Sequence, residues 1–148
     1  MRIAIGSDHR GYHLKEQIIG MLRSKGHEVL DEGTCGTESV DYPDFAKKVA
    51  DSVASGKTEL GILVCGTGIG MSITANKVHG VRAAVCRTEF EAKMARAHND
   101  ANILCLGQRV TGPGLAKEIV RAFLQARFTA EERHLRRVNK VRKIENQE

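Results

Sequence analysis

The sequence predicts an α/β protein, a single domain in which helices cover both faces of a doubly wound, five-stranded parallel sheet. Short β-branched and aliphatic runs alternate with helical segments along all 148 residues, and short loops join them. The central run, 62–64, is apolar at every position, as in a strand buried on both faces of a parallel sheet. No linker, repeat or low-complexity tract divides the chain. We therefore expect one Rossmann-like domain over residues 1–148, with a C-terminal helix at about 130–145.

The first two strands are predicted at residues 2–5 and 27–30, with a helix between them. This helix begins at Tyr12 and ends near Lys25, where Gly26 favours termination. The apolar residues that recur at helical spacing are Leu14, Ile18, Ile19 and Leu22. A loop over residues 31–42 follows the second strand.

The second helix is expected to begin at Pro43, because proline is favoured in the first turn of a helix. Phe45, Val49 and Val53 then repeat every four residues, which predicts one buried face. Gly56 ends this pattern before the central strand begins.

The central strand is followed by Cys65 and by three alternating glycines, Gly66, Gly68 and Gly70. Glycine lets the backbone adopt conformations closed to other residues and approach a ligand closely. The small and apolar residues after this segment predict a short helix that reaches Lys77. We therefore expect backbone N–H groups at a helix N-terminus, suited to holding an anion beside a thiol.

The C-terminal half is predicted to add two strands, at residues 81–86 and 101–106. Thr88 and Glu91 form a capping box for the helix between them, which extends to about His98. Two further helices follow the fifth strand, the first beginning at Pro113 and the last at a second capping box. The apolar stripe of the first is Leu115, Ile119, Val120, Phe123 and Leu124. The second capping box is Thr129 and Glu132.

Residues with useful chemistry follow the ends of several strands. In doubly wound sheets, ligands bind beyond the carboxyl ends of the strands. The residues at these positions are Asp8 and His9, Cys65 to Gly70, Arg87, and Arg109. Each alone has a structural explanation, since Asp8 could cap a helix and Cys65 could be a small buried hydrophobe. Their common edge favours a binding site.

Two other clusters leave a functional and a structural interpretation open. His98-Asn99-Asp100 supplies an imidazole, an amide and a carboxylate, although a histidine near a helix C-terminus can act only on the helix dipole. Arg133 and Arg137 lie four residues apart on one helix face. That face suits a phosphate dianion or simply solvent.

Composition and motifs exclude several functional classes. The formal charge of +5 comes largely from the C-terminal tail, but six aromatic residues and no nucleic-acid-binding motif argue against a nucleic-acid partner. The glycine segment lacks the Gly-Lys-Ser/Thr ending of a P-loop and the spacing of a dinucleotide fingerprint. The histidines lack zinc-site spacing and no Gly-x-Ser-x-Gly elbow is present, so neither a metal site nor a serine hydrolase is expected.

The chain is expected in the cytoplasm, with no membrane partner. It has no apolar run long enough to span a bilayer and no signal-peptide profile at its N-terminus. The four cysteines form no C-x-x-C pair and are expected to be reduced.

Seven short motifs follow one another along nearly the whole chain. They are Gly6-Ser7-Asp8-His9-x-Gly11, Asp41-Tyr42-Pro43, Cys65-Gly66-Thr67-Gly68-Ile69-Gly70, Ala75-Asn76-Lys77, His98-Asn99-Asp100-x-Asn102, Gly107-x-Arg109 and Glu132-Arg133-His134-x-x-Arg137. In this order the sequence resembles the family of type B ribose-5-phosphate isomerases and galactose-6-phosphate isomerase subunits.

The resemblance implies an aldose–ketose isomerase that interconverts D-ribose 5-phosphate and D-ribulose 5-phosphate through an enediolate, without metal or cofactor. By this resemblance Cys65 moves a proton between C1 and C2, His98 helps to open the furanose ring, and Asp8 assists at the sugar oxygens. The implied catalytic residues are Cys65, His98, Asp8 and Thr67.

The resemblance also implies how the substrate is held. Asn99 and the N–H groups of 66–70 would hold the enediolate oxygen, while basic side chains bind hydroxyls and phosphate. The implied substrate-binding residues are Asp8, His9, Tyr42, Gly66, Thr67, Gly68, Ile69, Gly70, Asn99, Arg109, Arg133 and Arg137. Family members are dimers or tetramers with shared active sites, so the C-terminal helix is expected to contact a partner subunit.

Two alternatives remain open at this point. The substrate could be a six-carbon sugar phosphate, such as allose 6-phosphate or galactose 6-phosphate, because the sequence does not show the length of the pocket. The chain could also be a non-catalytic sugar-phosphate-binding subunit. The joint presence of Cys65, His98 and Asp8 argues against the second alternative, since a binder needs no titrating thiol.

Overall fold

Five strands and six helices alternate along residues 1–147, the part of the chain that the computed structural model describes. The elements are β1 (Arg2–Ser7), α1 (Tyr12–Ser24), β2 (Glu28–Asp31), α2 (Tyr42–Ala54), β3 (Leu60–Cys65), α3 (Ile69–Ala75), β4 (Ala83–Val85), α4 (Glu89–Asn99), β5 (Ile103–Gly107), α5 (Pro113–Gln125) and α6 (Glu132–Glu145). All strand pairs are parallel and the strand order is β2-β1-β3-β5-β4. The predicted doubly wound five-stranded sheet is confirmed.

β3 lies at the centre of the sheet, as its unbroken apolar run predicts. Ile62 is in register with Ile5 of β1 and with Leu104 of β5. All six residues of β3 are buried. The C-terminal end of β3 therefore lies between the ends of β1 and β5. The order in which strands are added reverses between β1 and β3, and such a switch point opens a crevice at the strand ends.

The core is divided between the two faces of the sheet. α1, α4 and α5 cover one face, where Ile62 and Val64 of β3 point. α2 and α3 cover the other face, where Leu63 and Cys65 point. Because side chains of a strand alternate between faces, Cys65 belongs to the side of α2 and α3.

Burial of the apolar helix stripes follows the predicted spacing except at Phe45 of α2, which is only partly buried, and at Leu115 of α5. The stripe of α5 is buried except for Leu115, which is 45% exposed, so the prediction for Leu115 is wrong. Leu115 lies in the first turn of α5, two residues after Pro113, and in that turn the neighbouring Ala116 is the residue that faces the core.

Several predicted boundaries shift, and those of β4, β5 and α3 do so because of tertiary contacts. β4 is an edge strand that pairs only with β5, so it covers three residues rather than 81–86. β5 begins two residues later than predicted and continues to Gly107, which pairs with Cys65. α3 stops at Ala75 because the side-chain amide of Asn76 bonds to both backbone groups of Ala83, at 2.8 and 3.0 Å.

The first capping box is confirmed and the second is wrong. The Thr88 hydroxyl accepts the N–H of Glu91 at 3.0 Å, as a helix cap requires. The Thr129 hydroxyl instead donates to the carbonyl oxygen of Ala97 at 2.9 Å, and α6 begins at Glu132 without a side-chain cap. Thr129 therefore ties the α5–α6 connection to α4.

An ion pair between a buried lysine and a partly exposed aspartate orders the loop after β2. The Lys15 side chain is fully buried, and its Nζ donates to both oxygens of Asp31, at 2.9 and 3.0 Å. Asp31 Oδ1 also accepts the N–H of Gly33 at 2.9 Å. The loop that follows this clamp reaches the cavity described below.

Among residues 1–147, no helix has both the length and the apolar character that a membrane crossing requires.

Candidate active site

Cys65 lies at the wall of an open cavity of about 790 Å³ at the C-terminal ends of β1, β3 and β5. Its residue is 6% exposed, and its sulfur accepts the backbone N–H of Gly68 at 3.1 Å. An N–H group that points at sulfur stabilises negative charge on it. The thiol is therefore both reachable from the cavity and placed next to a hydrogen-bond donor.

The glycine segment turns tightly around this sulfur. Gly68 has a φ of +82°, the left-handed region, and its Cα faces the backbone of Leu106, which a Cβ would approach to 3.1 Å. At Gly70 a Cβ would lie 2.5 Å from the ring of Tyr42. Glycine at these two positions allows α3 to begin directly against the cavity.

The predicted ring of free N–H donors is only partly present. Gly68 donates its N–H to Cys65 Sγ, and Ile69 donates its N–H to Thr67 Oγ1 at 3.2 Å. These two groups are therefore engaged inside the segment, and an oxyanion would have to use other N–H groups of 66–70. Thr67 Oγ1 accepts a hydrogen bond here, which leaves its own proton for a ligand oxygen.

Two residues that follow β1 line the same cavity. Asp8 is 6% exposed, and its Oδ1 accepts the N–H groups of Arg10 at 2.9 Å and Gly11 at 3.1 Å. Asp8 therefore orders the loop before α1 and does not cap the helix, whose N-cap is Gly11 without a side-chain hydrogen bond. His9 Nδ1 accepts the N–H of Val40 at 3.2 Å, which places the ring proton on Nε2. That N–H is a donor for a ligand in the cavity.

Tyr42 and Arg109 complete this side of the site. Tyr42, 41% exposed at the start of α2, lines the cavity beside Gly70. The N–H of Arg109 donates to the carbonyl oxygen of Gly66 at 3.0 Å, which fixes the exit of β5 against the glycine segment. The stems of Arg109 and Arg10 flank Gly66, and both residues line the cavity.

The remaining predicted site residues lie elsewhere. His98, Asn99 and Arg137 line a separate cavity of about 410 Å³ between the C-terminal end of α4 and α6. Arg133 pairs with Glu131 and lines neither cavity, and Arg87 lines neither as well. A single chain therefore does not bring His98, Asn99, Arg133 and Arg137 to Cys65.

His134 shapes this second cavity. Its ring stacks on that of His98, with centroids 4.2 Å apart and planes 12° apart, and the residue is 5% exposed. Burial lowers the pKa of His134. The nearby imidazole of His98 and the guanidinium groups of Arg133 and Arg137 lower this pKa further. The imidazole of His134 therefore favours its neutral form.

Sequence reasoning missed several residues that line the cavities. Arg10 and His134 lie inside quoted motifs and could have been found from their neighbours. Arg82 lines the second cavity, but it precedes a short edge strand and has no motif around it. In residues 1–147, no three His, Cys, Asp or Glu side chains gather as a metal site would require.

Comparison with known proteins agrees with this geometry. The family model described as Ribose/Galactose Isomerase matches residues 3–141. The chain is 48% identical over 144 residues to ribose-5-phosphate isomerase B of Escherichia coli (strain K12), with 97% of this chain and 96% of that protein covered.

Solved structures give the same result. The structure of Clostridium thermocellum ribose-5-phosphate isomerase B has a TM-score of 0.97 and 56% identity, covering 99% of this chain and 98% of that one. A type B ribose 5-phosphate isomerase from Trypanosoma cruzi has a TM-score of 0.96 and 49% identity, with complete coverage of both chains. By sequence and by structure, the chain belongs to the ribose/galactose isomerase family.

Proposed function

We propose that this chain is an aldose–ketose isomerase that interconverts D-ribose 5-phosphate and D-ribulose 5-phosphate through an enediolate. The observation that carries the proposal is the Cys65 sulfur, which faces an open cavity and accepts an N–H at 3.1 Å. A thiolate base beside hydrogen-bond donors matches the chemistry of proton abstraction next to a carbonyl.

The reaction begins with the furanose form of the substrate. His98 and Asp8 move protons at the ring oxygen and at O1, so that the ring opens to the aldehyde. The Cys65 thiolate then takes the proton from C2, which leaves the negative charge on O1. A proton passes from O2 to O1, and the Cys65 thiol returns its proton to C1, which gives the ketone at C2.

The enediolate needs donors that are already in place when charge develops. Asn99 and the N–H groups of 66–70 that are not engaged with Cys65 and Thr67 supply them. The Thr67 hydroxyl accepts the N–H of Ile69 and is thereby oriented to donate its proton to a sugar oxygen. Tyr42 bounds the sugar on the side of α2.

The phosphate is bound by basic side chains from the Cys65 cavity and from α6. His9 and Arg109 lie beside Cys65, and Arg133 and Arg137 come from α6. Guanidinium groups suit a phosphate dianion because they can donate two parallel hydrogen bonds.

Assembly of a homodimer or homotetramer with shared sites would complete the catalytic set. Two observations support this part of the proposal. The required residues are separated within one chain, some at the Cys65 cavity and the others at the second cavity or on α6. Large apolar side chains are also exposed next to each cavity, with Ile69 and Ile73 of α3 at 55% and 59%, and Val141 and Ile144 of α6 at 52% and 70%. A second copy of this chain would cover them, with α6 contacting the partner.

The proposed enzyme acts in the pentose phosphate pathway of the cytoplasm and needs neither metal nor cofactor. All four cysteines are free, and a thiol base has to stay reduced. Activity should therefore survive a chelator and should fall under thiol-oxidising conditions.

The decisive experiment compares wild-type protein with Cys65→Ala, using ribose 5-phosphate as substrate. Loss of the proton-transfer group should lower kcat by about 10²–10⁴-fold. Substrate binding, measured by calorimetry, should remain, because the phosphate contacts are untouched. Cys35→Ala is the matched control, since Cys35 is exposed and lines neither cavity. A Cys65→Ala enzyme with nearly full activity would contradict the assignment of the base.

A six-carbon sugar phosphate is the second candidate substrate. The description of the matching family model names galactose as well as ribose. The ratio of kcat/KM for ribose 5-phosphate, allose 6-phosphate and galactose 6-phosphate decides between them. Preference for either hexose phosphate would replace the five-carbon assignment while leaving the mechanism intact.

A further inference from the structure

Arg82 clamps the end of helix α4. Its Nε donates to the carbonyl oxygens of Asn99 and Asp100, each at 3.1 Å. Its Nη2 donates to the carbonyl oxygen of Asp100 at 2.8 Å and to the Asp100 carboxylate at 3.2 Å. One guanidinium fork therefore binds two successive backbone carbonyls and one side chain.

The carbonyls at this place need such a partner. The last carbonyl groups of a helix lack partners within the helix. Asp100 follows α4 with a φ of +47°, the left-handed region that non-glycine residues seldom adopt. The backbone that leaves α4 keeps this conformation only if its surroundings hold it.

The clamp is itself anchored to the sheet. The N–H of Arg82 donates to Asn102 Oδ1 at 2.8 Å, and the N–H of Asn102 donates to the carbonyl oxygen of Arg82 at 2.9 Å. Asn102 Nδ2 also donates to the carbonyl oxygen of Gly80 at 2.8 Å. Arg82 therefore holds the end of α4 in a fixed position relative to the β4–β5 edge of the sheet.

The last two residues of α4 are His98 and Asn99, and Arg82 lines the same cavity as both. The directions of these two side chains follow from the backbone that Arg82 holds. Within a catalytic site, a displacement of about 1 Å can cost on the order of 10²-fold in rate.

We propose that Arg82 is a positioning residue for the isomerase, which fixes His98 and Asn99 through the carbonyl groups at the end of α4. The proposal rests on the function proposed above. Lysine cannot replace Arg82 in this role, because an ammonium group lacks the planar fork that reaches both carbonyls.

Two variants of Arg82 test the proposal against a matched control. Arg82→Lys keeps the charge, and Arg82→Gln keeps a hydrogen-bond donor without the fork. Arg142→Ala is the control, because Arg142 contacts the same Asp100 carboxylate at 3.6 Å but comes from α6. We expect both Arg82 variants to lower kcat for ribose 5-phosphate by about 10-fold or more, with KM within about 3-fold of wild type. Arg142→Ala should keep the wild-type kcat.

A second readout does not depend on turnover. The NMR signals of the His98 ring and of the Asn99 side-chain amide should shift in both Arg82 variants and stay in place in Arg142→Ala. Thermal unfolding checks that all three variants are folded at the assay temperature. Inactive wild-type protein would refute the proposed function, and the NMR comparison would still decide the role of Arg82.

Three results would overturn the proposal. The first is a kcat within about 2-fold of wild type for both Arg82 variants. The second is an equal loss of kcat in Arg142→Ala, which would indicate only a general effect of the charge network. The third is unchanged His98 and Asn99 signals in folded Arg82→Lys.

Discussion

Individual cysteines with similar sequence contexts occupy different chemical environments. Burial, reinforced by Glu91, raises the pKa of Cys86 to about 12, and burial raises the pKa of Cys105 well above its ordinary value. Both thiols are neutral at physiological pH. Cys65 is the last residue of β3 and reaches the cavity. Cys105 lies on the neighbouring strand β5, two residues before the position that pairs with Cys65. Access to the cavity separates the candidate base from these two thiols, because Cys86 also lies at a strand end but packs in the core.

His134 gives a prediction about pH and stability. Burial and neighbouring cations lower its pKa below the ordinary 6.5, so the unfolded chain binds a proton more readily than the folded chain. The contribution of His134 to stability is therefore fully present above about pH 6.5 and is lost as the pH falls through its lowered pKa. The free energy of unfolding should decrease on acidification.

The test compares wild type with His134→Phe, which keeps a ring for stacking on His98 but cannot titrate. Urea unfolding from about pH 8 to about pH 5 should show a flatter pH dependence in the variant. The pH dependence of the wild-type unfolding free energy is the reference for the variant. Parallel slopes for both proteins would contradict the lowered pKa.

At the scale of single elements, the two threonine boxes give a direct comparison. Thr88 caps α4 through the N–H of Glu91, and Thr88→Ala should lower the free energy of unfolding by about 1 kcal/mol. Thr88→Ser should recover most of this loss, because serine caps equally well. Denaturant unfolding measures both variants, and equal stability of Thr88→Ala and wild type would contradict the cap.

The element boundaries show which features of the fold the local sequence predicts. The centre of the sheet, the order of elements and the cap at Thr88 follow from apolar runs and short-range patterns. Thr129 matched the same local pattern, but its hydroxyl bonds to Ala97, 32 residues away. The ends of β4 likewise depend on the edge position of that strand. Contacts between distant segments decide these features, and no local pattern contains them.

In the candidate site, too, the local sequence predicted some residues and contacts between distant segments decided the others. Residues at or just after strand ends, such as Asp8, Cys65 and Arg109, lie together because parallel strands end at one edge. His98 follows no strand and lies at the end of a helix, so the same rule did not place it. The clamp by Arg82 depends on four hydrogen bonds between separate elements and left no trace in the local sequence.

At the scale of the whole molecule, the divided residue set predicts complementation between subunits. If the proposed shared sites form, Cys65→Ala and His98→Ala should each be inactive, because each variant removes one group from every such site. In a randomly mixed population of dimers, half contain both variants, and each mixed dimer has one intact site. The mixture should therefore regain about a quarter of the wild-type rate.

The measurement is isomerase activity after the two inactive proteins are unfolded together and refolded. Each variant refolded alone is the control. Absence of recovery in a mixture that forms dimers would indicate that each site is built within one subunit.

The contact between Gly70 and Tyr42 has a consequence for how this sequence can vary. A Cβ at position 70 would lie 2.5 Å from the Tyr42 ring, which is part of the cavity wall. A larger residue at position 70 requires the half-exposed ring of Tyr42 to move out of the cavity wall or to be replaced by something smaller. Diversity at position 70 should therefore be accompanied by change at position 42, and libraries that randomise position 70 alone will return mostly enzymes with a reshaped cavity.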